Sequence, residues 1–214
     1  MPDKPVDVRI SAEAVDRILA DAIRGLSLLP RRGVEVGGLL LGTADAGGGI
    51  SVTVDDILAI PTEYAFGPSY SLSEKDKDNL RAVLRQWERS PGRPAYPVGF
   101  YRTQTRDGLS LTPEDQELFS AYFPDPSSVV LLIRPQPLGS SVAGLFFREG
   151  GEVRAESSYL EFPVRPRGLR KASDAPAPPQ PEPPKPQSEP AAPVAEPAPR
   201  RRQPRWVSWA CFPF

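Results

Sequence analysis

Apolar positions recur along the chain with two periods, one near two and one near 3.6, as far as Phe162. Val6-Asp7-Val8-Arg9-Ile10 alternates apolar and polar, the pattern of a short strand with one buried face. Ser11 follows as a helix N-cap with Glu13 in the first turn. Val15, Ile18, Leu19, Ala22 and Ile23 then form one helical stripe, which closes near Gly25, although Leu26, Leu28 and Leu29 continue the apolar run. Pro30-Arg31-Arg32-Gly33 reads as a turn. Val34 to Gly42 is an apolar run, predicting a central strand buried on both faces. The adjacent Gly37 and Gly38 inside it mark a bulge or a close backbone approach. After a glycine-rich hairpin loop, Ile50 to Ile60 is the returning strand. The loop from Pro61 to Ser71 carries Tyr64, Phe66 and Tyr70, which read as core or loop cover or as the rim of a partner groove.

Ser73 caps a second helix, with Glu74 and Asp76 in its first turn and Leu80, Val83, Leu84 and Trp87 as its apolar stripe. Tyr96 to Thr103 is a strand that runs into a loop. Thr112-Pro113-Glu114-Asp115 then opens a third helix, expected from Pro113 to about Tyr122, with Leu118, Phe119 and Tyr122 toward the core. Val129 to Ile133 is a fully apolar strand, and Val142–Arg148 with Val153–Phe162 makes a hairpin. The order of elements predicts an α/β fold, a mixed central β-sheet flanked by helices, over residues 1–162.

Composition changes the picture beyond that point. More than half of the 28 prolines lie from Pro163 onward. Residues 163–199 are rich in Pro, Ala and Glu with almost no large apolar side chain, so a disordered linker with polyproline II bias is expected. Its Pro-x-x-Pro steps read mainly as a spacer, or as a ligand for an SH3-like groove. Residues 200–214 differ again: Arg200, Arg201, Arg202 and Arg205 precede Trp206, Trp209, Phe212 and Phe214. Basic residues beside tryptophans fit weak contact with a membrane surface; the alternative is a short peptide docking on another protein. The net charge of −1 implies no general attraction to nucleic acid. The single cysteine, Cys211, excludes an intramolecular disulfide and fits a reducing, cytoplasmic setting. Met1-Pro2-Asp3-Lys4 lacks an apolar h-region, so no signal peptide is expected. The chain has no histidine, which removes the commonest metal ligand and the commonest general base together.

Two separated stretches carry the candidate chemistry. One is Glu35-Val36-Gly37-Gly38-Leu39-Leu40-Leu41-Gly42; the other is Gly99-Phe100-Tyr101 with its following loop and helix. The pair resembles the MPN (JAB/JAMM) domain family, a cytidine-deaminase-like fold whose active members are zinc isopeptidases and deubiquitinases. That family has a glutamate opening a Gly-Gly-Leu-Leu-Gly strand, then a Gly-aromatic-Tyr strand running into His-x-His, seven residues, and Ser-x-x-Asp. Here the same register holds Arg102-Thr103-Gln104, seven residues from Thr105 to Leu111, and Thr112-Pro113-Glu114-Asp115. The resemblance spans roughly residues 6–162. It implies that Glu35 stands where the general base would, that Arg102 and Gln104 replace the two zinc-binding histidines, that Thr112 replaces the serine, and that Asp115 matches the carboxylate ligand.

Those substitutions remove the chemistry. Arginine has no lone pair to give and carries a permanent positive charge, and a neutral amide oxygen is a poor partner for zinc. No catalytic residues, cofactors or metal are therefore expected. The expectation is a catalytically inactive MPN-like pseudoenzyme that serves as a protein–protein interaction scaffold. The rivals are a deconjugating isopeptidase with an altered site and an adaptor working through its tail. Two readings of individual residues stay open at this level. Glu35 is either a solvated strand-edge residue or part of the old pocket, and Thr112 with Asp115 is fully accounted for by a capping box. Charge adds one expectation: Arg102 enters the pocket and pairs with Asp115, and with Glu35 as well, because two neighbouring carboxylates without a cation are costly.

Overall fold

The computed structural model describes residues 5–30, 33–45, 49–90, 92–137 and 139–165, together with the backbone of Trp206–Ala210. The strands are β1 (Val6–Ser11), β2 (Gly37–Asp45), β3 (Ile50–Ala59), β4 (Tyr96–Thr103), β5 (Val129–Arg134), β6 (Ser141–Glu149), β7 (Glu152–Val153), β8 (Leu160–Val164) and β9 (Trp206–Ala210). The helices are α1 (Ala12–Leu28), α2 (Glu74–Gln86) and α3 (Pro113–Tyr122). The described strands form one curled, mixed sheet in the order β7-β6-β5-β4-β2-β3-β1-β9, with β8 also on β6. β1 with β3 and β4 with β5 are parallel pairs, and the other pairs are antiparallel.

The period of two sorts the apolar side chains onto two faces. Val8, Ile10, Leu40, Val52, Val54, Tyr101, Leu131 and Ile133 pack with Ala14 and Ile18 of α1. Leu39, Leu41, Phe100, Val130, Leu132 and Phe146 pack with Leu80 of α2 and Phe119 of α3. The central strands are therefore apolar throughout because both faces are covered. Each helix start is capped: Ser11, Ser73 and Thr112 accept from Ala14, Asp76 and Asp115 backbone N–H groups, the last two within full capping boxes.

Several expected boundaries shift for identifiable reasons. α1 continues through Gly25 to Leu28. Gly25 is a contact glycine: a Cβ there would lie 2.7 Å from the Val34 carbonyl oxygen, where the chain returns across the helix. Ile23, assigned to the buried stripe, is 43% exposed. β2 begins at Gly37, not Val34, since Val34 to Val36 cross to the sheet under loop hydrogen bonds, Val34 N–H to Gly25 O and Glu35 N–H to Pro68 O. Gly37 and Gly38 are close-approach positions. A Cβ on Gly38 would stand 2.2 Å from Leu58 O, and one on Gly37 would meet the Tyr70 ring at 2.8 Å. The bulges fall just beyond, at Leu40/Leu41 against β4 and Leu41/Gly42 against β3.

The strand expected over Val153–Phe162 is two strands. The chain leaves β6 after Val153, lets the Ala155 carbonyl accept from Leu111 N–H at 2.8 Å, and rejoins β6 at Leu160. β8 extends to Val164, so the expected domain boundary after Phe162 falls inside a strand, with Pro163 paired to Val142. The linker and Arg200, Arg201, Arg202 and Arg205 lie outside the described residues. Trp206 and Trp209 belong to β9, which runs antiparallel to β1 instead of standing apart from the domain. Among the described residues no helix is long and apolar enough to cross a membrane.

Candidate functional site

Alternation along β4 decides what faces α3. Phe100 packs on Phe119 and Phe123, Tyr101 turns to the α1 face, and Arg102 returns to the side of α3. Strand pairing sets Arg102 opposite Gly37, two residues after Glu35. Thr103 holds that crossing: its N–H donates to Val36 O at 2.7 Å, and its Oγ1 accepts from Val36 N–H at 2.8 Å. Asp115 arrives from the first turn of α3, whose position is fixed by the Thr112 cap.

Arg102, Glu35 and Asp115 are 3%, 5% and 4% exposed. The guanidinium forms a two-toothed fork on Asp115, Nε to Oδ1 and Nη2 to Oδ2, each at 2.6 Å. Nη2 also donates to Gln104 Oε1 at 3.4 Å, and Nη1 donates to Thr103 O at 3.2 Å while facing Glu35 Oε2 at 3.5 Å. The planar fork suits a carboxylate in a way a lysine ammonium does not. Glu35 is further fixed by backbone donors: Tyr70 N–H to Oε2 at 3.1 Å, and Thr105 N–H to Oε1 at 3.0 Å. Asp115 Oδ2 accepts in addition from Thr112 N–H at 2.8 Å. Gln104 donates from Nε2 to Gly108 O at 3.1 Å, which closes the loop between β4 and α3.

The five positions Glu35, Arg102, Gln104, Thr112 and Asp115 thus stand in one connected network. Burial answers the open question about Glu35, which is no solvated edge residue, and the guanidinium occupies the space between the carboxylates as the charge argument expects. Tyr70 and Thr105 also belong to the site, and motif spacing gave no sign of them because they act through backbone N–H groups. Thr105 adds its hydroxyl to Glu35 Oε1 at 3.3 Å. Burial pushes the Tyr70 phenol far above its ordinary value, and its hydroxyl donates to Ile60 O at 3.1 Å. Glu114, exposed beside the cap, is held below the usual carboxylate range by its own backbone N–H, then by the Thr112 hydroxyl, with Arg102 adding a smaller pull.

A catalytic zinc site needs three donors with free lone pairs around an open position. Here the acidic oxygens are committed to a cation and to backbone N–H groups, and a permanent positive charge fills the centre. The residues present do not fit a divalent cation. Among the described residues no group of three His, Cys, Asp or Glu side chains is arranged to hold one.

Beside this network the surface opens into a cleft of about 790 Å³ between the Phe66–Leu72 loop, α2 and α3, with Asp115 in its lining. Tyr70, Leu72, Leu118 and Tyr122 supply apolar wall, and Phe66 stands at the rim 70% exposed. Lys77 of α2 pairs with Glu74 one turn earlier on the same helix at 3.0 Å and reaches Glu117 of α3 at 3.9 Å.

No family model matches the chain, and no curated protein matches it. Among solved structures, it is similar to a protein from Desulfitobacterium hafniense, with 21% identity and a TM-score of 0.46 over 70% of this chain and 90% of that one. It is also similar to a protein from Salinibacter ruber, with 16% identity and a TM-score of 0.40 over 73% of this chain and 98% of that one.

Proposed function

We propose that this chain is an MPN-like pseudoenzyme in which an arginine stands in for the metal, and that it works as a protein–protein interaction scaffold. The observation that carries the reading is the Arg102 fork on Asp115, with Nη1 turned to Glu35. A buried guanidinium in that place takes up the acceptor positions a metal would need, and without a metal to activate a water Glu35 has no nucleophile to generate. The pairing of the two motif strands, Gly37↔Arg102 through Leu39↔Phe100, supports the same register. What remains usable is the surface. The cleft beside the network presents apolar wall and an exposed Phe66 to an incoming chain, an arrangement suited to a partner segment that inserts an apolar side chain.

The test pairs the wild-type chain with an Arg102→His/Gln104→His variant. The wild type should purify without stoichiometric zinc and leave isopeptide-linked substrates uncut, while the double variant, with Asp115, gains zinc. Stoichiometric zinc in the wild type, with turnover lost in Glu35→Gln, overturns the proposal in favour of an isopeptidase. A Phe66→Ser substitution separates the scaffold from the tail-driven adaptor. Partner capture should fall with unchanged melting behaviour; capture that instead follows residues 163–214 alone assigns the binding to the tail.

A further inference from the structure

The cations of α2 change character along the helix. As far as Arg81 each has a carboxylate in reach: Lys75 on Glu63 at 3.1 Å, Lys77 on Glu74 at 3.0 Å, and Arg81 on Asp78. Beyond it come Arg85, Arg89 and Arg93, four residues apart. None of the three belongs to an ion pair among the described residues. Arg85 lies in the last turn of α2, and the other two lie in the segment that leads to β4. All three line one surface hollow of about 480 Å³, in which Glu88 is the one carboxylate among the described lining residues.

Two of the guanidinium groups are held in place. Arg89 Cζ lies 5.1 Å from the centroid of the Tyr96 ring, and Arg93 Cζ lies 4.6 Å from that of Trp87. Arg93 Nη1 also donates to Gln86 O at 2.6 Å, and its backbone N–H donates to Ser90 O at 3.0 Å. A guanidinium held over a ring has less rotamer freedom left to lose when a ligand takes up its N–H groups. Part of the arrangement serves the helix, since a cation near the C-terminus complements the dipole and can satisfy a late carbonyl. Arg93 fills that role through Gln86 O. Arg85 and Arg89 are surplus to it, and with Glu88 set against the three arginines the hollow keeps an excess of two positive charges.

We propose that this hollow is a binding site for a phosphomonoester. Such a group carries a charge of about −1.5 to −2 at pH 7, which matches the local excess, and its three oxygens can accept from several guanidinium forks at once. A carboxylate brings less charge and only two oxygens. The hollow shares no lining residue with the cleft beside the Arg102 network, and the proposal does not depend on the scaffold reading.

The full chain is titrated by calorimetry with methyl phosphate and with a peptide carrying one phosphoserine among alanines, against acetate at matched ionic strength. Methyl phosphate should bind with Kd of about 1 mM or tighter, and acetate about tenfold more weakly or worse. Arg85→Gln/Arg89→Gln should lose about tenfold or more in affinity while melting like the wild type. Lys75→Gln, which removes an exposed cation from the other end of α2, should change affinity by less than about twofold. Peptide binding about tenfold tighter than methyl phosphate supports the proposal with a partner's phosphorylated side chain as the source, and equal binding supports it with a free small ester. Phosphate binding no tighter than acetate, or an affinity unchanged in Arg85→Gln/Arg89→Gln, overturns it. If that double variant melts lower, Arg85→Gln alone replaces it, with a loss of about threefold expected and no loss overturning the proposal.

Discussion

Replacing Arg102 by methionine removes a cation and leaves two buried carboxylates facing each other. At an effective dielectric near 20, unit charges 3–4 Å apart interact by roughly 4–6 kcal/mol. The guanidinium has such a relation with Asp115, at 2.6 Å, and a longer one with Glu35, at 3.5 Å. Desolvating the guanidinium offsets several kcal/mol, and each carboxylate keeps its backbone donors, from Thr112, Tyr70 and Thr105. The net loss for Arg102→Met is therefore expected at about 3–5 kcal/mol at pH 8, the cost of stranding buried charge. That is a large part of the ~5–15 kcal/mol that holds a domain folded. Urea unfolding, read as midpoint shifts at constant slope, measures this directly. Adding Asp115→Asn to Arg102→Met should recover part of the loss, because one of the two stranded charges is gone, although Asp115→Asn alone destabilises. A loss below about 1 kcal/mol would refute a charge network at this site.

Thr112→Ala should cost about 1 kcal/mol in chemical unfolding, because it removes an N-cap acceptor and leaves Asp115 N–H without its partner. Gly42→Ala should cost far more and give little soluble protein, since its Cβ would stand 1.8 Å from Thr53 O, a backbone atom that cannot swing aside. Soluble, normally melting Gly42→Ala would contradict the β2–β3 register. Tyr70 and Tyr101 have phenols raised well above 10, chiefly by burial and, for Tyr101, next by Asp21. Their folded forms keep a proton that the unfolded chain gives up near pH 10, so stability should be full below that pH and fall above it. Denaturant midpoints at pH 9 and pH 11 test this, and Tyr70→Phe should flatten the decline.

Periodicity carried most of the fold. Alternation in Val6–Ile10, the unbroken apolar runs around Leu39–Leu41 and Val129–Ile133, and the caps Ser11, Ser73 and Thr112 all correspond to elements in place. What stayed hidden was decided by contacts distant in sequence. Gly25 looks like a helix stop but is the point where Val34 crosses α1. The Val153–Phe162 run breaks because Ala155 is needed by Leu111 of the loop before α3. The motif resemblance suggested Arg102, Asp115 and Glu35 as neighbours, and charge then gave the pairing seen between them. It could not name Tyr70 or Thr105, because any non-proline residue offers the same backbone N–H.

A buried ion network is weak evidence for stability as such, since an apolar replacement of similar volume is often as stable. Its geometry points to a different role here. Arg102 ties four separate segments: the chain before β2 through Glu35, the end of β4 through Thr103 O, the following loop through Gln104, and α3 through Asp115. Glu35 in turn fixes Tyr70, whose loop forms one wall of the cleft, while Asp115 fixes the start of α3, which forms the other. An apolar core at this place would pack the same space but would not set the distance between those walls. The directional fork does, because its teeth lose strength with small displacements. The Arg102 centre is therefore best understood as the fixed point about which the neighbouring surface is shaped.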